Sequence, residues 1–402
     1  MASITFVVDL TEGHIYPSFG LAQSLLEEGH TVTYMNIPGN EDLIRAQGFG
    51  FYPVLGHLYP KGRPIPRQAV NTGKEARVTN LLLRIGRDEL DAFFKAIKPD
   101  LLIVNGFLCI ECLLLYYRYG IRPVILTTYL RKPGNSLTDL CIESIMGLSG
   151  DEAAQTIDFA GKAAGNFRTL RDFTRPLSLF PELILCPQQF EKESVSVSGT
   201  TYYIEPSIRA WEENGPVPDF IPQGKKIVYA SFGSHTAAYG DVCIVFYRKL
   251  IDAMRDQRLY DVHLVLSVGK ELDPNRLGPL PSNITALPWV SQIPVIKAST
   301  AVITHGGLGT IKECIYFGVP MIVIPITHDQ PRNGSLVEFH GMGISQKIED
   351  LDEERIVAGI RRVLDGEDFV RNVKKMQNIF RDSEESRPGR RIIGRLLAQR
   401  GP

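Results

Sequence analysis

"THGGLGTIKECIYFGVPMIVIPITHDQ", Thr304 to Gln330, places a histidine and three glycines where an apolar run gives way to a helical pattern. The run just before it, "TAVIT", reads as a buried strand, "IKECIYFG" as a helix and "VPMIVIPI" as the next strand, which together make a βαβ unit. In such a unit the first N–H groups of the helix point into the crevice beyond the carboxyl ends of the strands, where they form an anion site. Gly306, Gly307 and Gly309 let an anion approach bare backbone, and Thr310 adds a hydroxyl. A diphosphate suits this cradle. His305 can donate a ring N–H to a phosphate oxygen, and Glu313, one helical turn past Thr310, can accept from ribose hydroxyls. Trp289 in "LPWVSQ" offers a flat face for a base, and Asp329 with Gln330 offers acceptors and donors for sugar hydroxyls. Each residue alone has an ordinary structural explanation. The order of base platform, phosphate helix, ribose acid and hydroxyl clamp is more specific than any one of them.

Working outward, the same alternation of strand and helix fills the chain. "ITFVVDL", "HTVTYMN" and "FGFYPV" alternate with "PSFGLAQSLLEEG" and "EDLIRAQG" in the first part, and "DLLIVN" and "RPVILTT" are continuously apolar, as strands covered on both faces are. At "EPSIRAWEENGPVPDFIPQGKK", Glu205 to Lys226, four prolines and several charges replace the apolar runs. The alternation then restarts with "KIVYASFG", "DVHLVLSVG" and "NITALPW". The expected fold class is α/β with two doubly wound, Rossmann-like domains. The expected boundaries are 1–205 for the first domain, 206–226 for a linker, 227–383 for the second domain and 384–402 for a closing basic amphipathic helix. The stretch from Lys132 to Pro176 mixes helical patterns with Gly and polar residues and reads as a wall over a site.

Composition narrows the partners. The 402 residues carry 44 Lys+Arg against 45 Asp+Glu, so no electrostatic footprint for nucleic acid is expected. "LLIVNGFLCIECLLLYY" is interrupted by Asn105 and Glu111 and falls short of a membrane span, so no stable membrane insertion is expected. The N-terminus lacks the basic and long apolar regions of a signal peptide, and six scattered cysteines lack the density of a disulfide scaffold, so a cytoplasmic protein is expected. Cys109 and Cys112 form a C-x-x-C inside an apolar run, which reads as a core pair. Neither domain shows G-x-G-x-x-G after its first strand, which speaks against a nicotinamide dehydrogenase.

The pattern W-x-x-Q, HGG-x-x-T-x-x-E, GVP, P and DQ-x-x-N resembles the nucleotide-sugar signature of the UDP-glycosyltransferase family, inverting enzymes with the two-domain GT-B fold. The resemblance covers the whole chain, including the last helix, which in that fold crosses back to the first domain. It implies that Trp289 stacks on uracil while the backbone of Val290 addresses its edge, that Gln292 and Glu313 take the ribose, and that His305, Gly307 and Thr310 take the diphosphate. Asp329 and Gln330 would hold the sugar, with glucose the usual partner of a glutamine at 330. Asn333 matches a family Asn near the phosphates, and Ser234 in "SFGS" matches a loop facing the donor. The chain departs from many relatives at Ser291, where Pro is frequent, and at Gly309, where plant members often carry Asn.

In the first domain "EGHIYP" puts His14 in the loop after strand one and matches the family's G-H-x-x-P, whose histidine is the general base. The resemblance implies one displacement with inversion, a UDP-sugar as donor substrate, and no metal or other cofactor. At the end of the strand "PDLLIV" the family usually carries an Asp bonded to that imidazole. Here the sequence reads "IVNGF", and Asn105 takes its place. An amide oxygen can fix a tautomer but brings no charge to steady an imidazolium; in a serine-protease triad the Asp to Asn change costs about 10⁴ in turnover. Three outcomes follow: acidic acceptors such as phenols need less help, Asp9 or Glu111 substitutes for the acid, or the chain is a silent GT-B protein serving as a binding partner. A UDP-sugar 2-epimerase is a further alternative. The acceptor is expected to be a phenolic, polyketide or terpenoid small molecule in a pocket near Phe19, Tyr59, Phe107 and Tyr129, and the protein is expected to be a monomer or weak dimer.

Overall fold

The structure, a computed structural model, describes residues 1–10, 12–62, 85–131, 134–160, 167–192, 199–208, 216–233, 236–270 and 272–399. Ser234 and part of the expected linker, 209–215, lie outside the described residues, as do 132–133 and 161–166 of the expected wall.

Strands β1 (Ser3–Val7), β2 (Thr31–Asn36), β3 (Gly50–Pro53), β4 (Leu101–Asn105), β5 (Val124–Thr127), β6 (Glu182–Ile184) and β7 (Thr201–Tyr203) form one sheet in the order β3-β2-β1-β4-β5-β6-β7. Every pairing is parallel. The apolar runs explain why. In β4, Leu101 and Ile103 pack on one side with Ile4 and Phe6, while Leu102 and Val104 pack on the other with Val7 and Met35. A strand with period two and no polar face needs a layer of helices on each side. The stretch expected to wall the site contains the helices Leu137–Met146, Gly150–Ala160 and Leu170–Thr174.

The second sheet comprises β8 (Lys226–Ser231), β9 (Val262–Ser267), β10 (Ile284–Leu287), β11 (Ala301–Thr304), β12 (Met321–Val323) and β13 (Gly343–Ser345), all parallel, in the order β10-β9-β8-β11-β12-β13. Val228, Leu264 and Ile303 face one core, and Tyr229, Val265 and Val302 face the other. Strand order reverses between β8 and β11, and in an open parallel sheet that reversal opens the ligand crevice. Strands β6, β7 and β13 have three residues each, too few for a period-two signal, and the sequence pattern does not disclose them.

The two halves are joined by packing and by buried polar contacts. Leu130, Ile184, Cys186 and Phe190 of the first half share a core with Val302, Ile311 and Met321 of the second. Lys312, on the helix Leu308–Phe317, is buried and donates Nζ to the carbonyls of Leu185 at 3.0 Å and Pro206 at 2.6 Å. Removing an ammonium from water costs several kcal/mol unless its donors are satisfied, and burial accordingly lowers the pKa of Lys312. Arg332 pairs with buried Glu191 across the same boundary. The helix Glu367–Ser386 ends at Arg387, held at φ 42°, and Pro388–Gln399 follows, with Ile392 and Ile393 buried in the first half beside Ile4 and Phe19. The chain therefore turns at Arg387, between the polar last turn of the long helix and the final helix.

Candidate active site

The donor half is built around the turn from β11 into the helix Leu308–Phe317. A Cβ on Gly307 would lie 2.8 Å from Nε2 of His305, and one on Gly233 would lie 2.9 Å from its Cε1, so both glycines are needed to seat the ring. Gly306 has φ 90°, a conformation L side chains rarely adopt. Gly309 is exposed and a Cβ there would meet nothing within 4 Å, which leaves the helix start open in front of its amides. Gly307 caps the helix without a side-chain hydrogen bond. The first-turn N–H groups are thus available to an anion.

The expected ribose pair is brought together. Gln292 Nε2 donates to the Glu313 carboxylate and lies 3.3 Å from Thr310 Oγ1, and its Oε1 is 3.5 Å from the Tyr229 hydroxyl. Trp289 is 56% exposed, so its face is open to a base, with Lys270 Nζ 5.3 Å from the ring; Val290 beside it is buried. Asn333 is fully buried and spends both amide N–H groups, on Gly306 O and Asp329 Oδ2, each at 2.9 Å. Gln330 is also buried: its Oε1 accepts from the N–H groups of Ile326 and Thr327 at 2.8 Å, and its Nε2 donates to Tyr239 at 2.9 Å. One amide N–H remains for a ligand, and most of this side chain holds the loop that carries Asp329. Nothing local in the sequence links Tyr239 to Gln330, 91 residues on.

On the opposite side, His14 lies in the short helix Glu12–Ile15 at the carboxyl edge of the first sheet. Its ring rests 4.7 Å from that of Phe107, which in turn stacks 4.2 Å from Tyr129. Phe107 is 48% exposed, so an apolar aromatic wall flanks the imidazole. Nδ1 of His14 is 3.4 Å from Thr128 Oγ1. Desolvation lowers the pKa of His14, and the carboxylates of Asp9 and Asp329 raise it in part. Asp329 belongs to the other half of the molecule.

Several expectations are corrected. Asn105 does not bond His14 directly: its Oδ1 accepts from Phe107 N at 3.0 Å, capping the turn Gly106–Leu108, and its Nδ2 faces Thr128 Oγ1 at 3.5 Å. Glu111 is buried in the helix Cys109–Tyr119, where its charge acts on Cys112 and Cys141 and is not among those acting on His14. Phe19 is 1% exposed and packs edge-on against Tyr34, because the helix it opens turns its apolar face to the sheet. Cys109 and Cys112 are free thiols within the core. No local pattern singles out Thr128, one of two threonines at the end of β5.

Residues 252–393 match the family described as Erythromycin biosynthesis protein CIII-like, C-terminal domain. The NDP-glycosyltransferase YjiC of Bacillus licheniformis is 24% identical over 399 residues, spanning 97% of this chain and 96% of that one. Over nearly its whole length the chain is similar to named glycosyltransferases. Among solved structures, the glycosyltransferase of kitacinnamycin aligns over 100% of this glycosyltransferase and 99% of its own chain with a TM-score of 0.78 at 22% identity. CalG4, the calicheamicin glycosyltransferase, aligns over the whole of both chains with a TM-score of 0.76 at 22% identity. These likenesses establish the GT-B fold of two facing parallel sheets. The matched relatives are named as transferases, which favours neither the epimerase nor the silent-partner alternative. Among the described residues, no helix of this glycosyltransferase is long and apolar enough to cross a membrane.

Proposed function

We propose that this glycosyltransferase moves a hexose, glucose in the first instance, from a UDP-sugar to a hydroxyl of an apolar or aromatic small molecule of the phenolic, polyketide or terpenoid kind, with inversion and without a metal ion. His14 Nε2 takes the acceptor's hydroxyl proton as that oxygen forms its bond to the anomeric carbon; the carbon–phosphate oxygen bond breaks and UDP leaves. The helix amides after Gly307 and the ring of His305 receive the leaving charge. Glu313, paired with Gln292, accepts from ribose hydroxyls, which suits a ribonucleotide over a deoxyribonucleotide. The six cysteines are buried free thiols, which supports a reducing, cytoplasmic setting.

The proposal is supported most directly by the placement of His14 at the carboxyl edge of the first sheet, near enough to Asp329 of the second half for that carboxylate to raise its pKa in part. His14→Ala is expected to lower turnover of UDP-glucose with a phenol by about 10²- to 10⁴-fold, while calorimetric affinity for UDP stays within about twofold. Titration is expected to rank UDP above thymidine diphosphate. Undiminished turnover in His14→Ala, or a wild-type protein that binds neither nucleotide, would refute it.

A further inference from the structure

Among the described residues, the one hydrogen-bond partner of the His14 ring is Thr128 Oγ1, 3.4 Å from Nδ1. The same oxygen lies 3.5 Å from Asn105 Nδ2. These contacts are long, as catalytic hydrogen bonds commonly are before a substrate fills the site. The orientation of Asn105 is fixed independently. Its Oδ1 accepts from Phe107 N–H at 3.0 Å, so the side that meets Thr128 must be its NH₂ group, a donor. The Thr128 oxygen accepts from Asn105 and keeps one lone pair and one proton for His14.

Those two possibilities have opposite consequences. If the hydroxyl proton points at Nδ1, the neutral ring carries its hydrogen on Nε2 and cannot take a proton there. If the lone pair faces Nδ1–H, Nε2 is bare and can act as a base. Once the ring is protonated, both nitrogens are donors and only the second arrangement survives. We propose that Thr128 is the positioning residue for His14: its hydroxyl, braced by Asn105 Nδ2, accepts from Nδ1–H and presents Nε2 to the acceptor hydroxyl. This rests on the reading of His14 as the general base. A neutral brace orients the ring without stabilising its charged form. The charged groups acting on it are Asp9 in its own half and Asp329 in the other, and desolvation outweighs both.

The test combines spectra with kinetics. In protein carrying ¹⁵N-histidine, with the His14 signals assigned by their loss in His14→Ala, the neutral ring of the wild type is expected to be the Nδ1–H tautomer. Thr128→Val is expected to shift it toward Nε2–H, and Thr128→Ser to restore it. With UDP-glucose and a phenol, Thr128→Val is expected to lower kcat by about 10- to 100-fold and move the acid limb of its pH profile, with UDP affinity within about twofold. Thr128→Ser is expected to stay within about threefold of wild type. A neutral wild-type ring protonated on Nε2, or a Thr128→Val protein with unchanged tautomer and kcat, overturns the proposal. Wild-type turnover in His14→Ala refutes the base assignment instead; the spectra still judge the Thr128 contact, because they need no turnover.

Discussion

The two sides of the cleft are held to different standards. Around β11, Gly307 and Gly233 seat His305 by close backbone approach, Asn333 and Gln330 spend most of their hydrogen-bonding capacity bracing loops, and Lys312 fastens the helix Leu308–Phe317 to the first half. On the acceptor side, the one hydrogen-bonding contact of the His14 ring among the described residues is a long one, to Thr128, which in turn faces a neutral amide. A leaving diphosphate is a fixed target that rewards preorganised donors. A base that serves through one side-chain contact is cheaper to alter and easier to retune.

The sharpest challenge to this contrast removes the fastening. Lys312→Met deletes both Nζ hydrogen bonds and leaves the buried carbonyls of Leu185 and Pro206 unpaired, so stability is expected to fall by about 2–4 kcal/mol, read as a lower thermal midpoint. Unchanged stability would show that the donor helix is not held by this contact. Gly307→Ala places a Cβ against the His305 ring, and calorimetry is expected to show UDP binding weakened by about 10- to 100-fold with the His14 tautomer unaltered. If affinity survives, the seat of His305 is looser than its packing implies. Asn105→Asp turns the brace into a carboxylate that can accept from Thr128. The pKa of His14 is expected to rise, and turnover of an aliphatic alcohol to improve by about tenfold relative to a phenol, as measured by paired pH–rate profiles. Equal effects on both acceptors would mean that base strength does not limit the alcohol.

The smallest effect lies at the joint between the halves. Glu384 accepts from Ser207 N at 3.0 Å, and desolvation, with Glu205 close by, pushes its pKa up to about 7. A carboxyl group whose folded pKa exceeds its unfolded value favours the fold below the unfolded pKa and loses that contribution as pH rises through the folded one. Wild-type stability should therefore decline between about pH 4.5 and 7 on this account. Glu384→Gln should flatten that decline and be more stable than wild type at pH 8 by about 1 kcal/mol. Parallel denaturation curves for the two proteins across that range would remove Glu384 from the joint's pH response.

Legibility in the sequence follows the same division. The motif could be read because Trp289, His305 and Asp329 follow the strands β10, β11 and β12, with Glu313 on the helix after β11, and a parallel sheet brings the carboxyl ends of all its strands to one edge. The sheets could be read because their central strands are apolar on both faces. What could not be read was which way a carboxamide turns. Gln330 looks like a sugar ligand in sequence and is mostly a loop brace in space; Asn105 looks like a weakened partner of His14 and touches it only through Thr128. Phe19 looks like a pocket aromatic and is core.

The sequence by itself determined the parallel two-sheet architecture and the glycine-lined start of the helix Leu308–Phe317, because periodicity and glycine placement act over a few residues. Only the tertiary structure decided what braces His14, how Lys312 joins the halves and which side chains are already spent. Those contacts link positions more than a hundred apart, such as His14 with Thr128 and Lys312 with Leu185, and hydrogen-bond capacity can be counted only when every partner is in place.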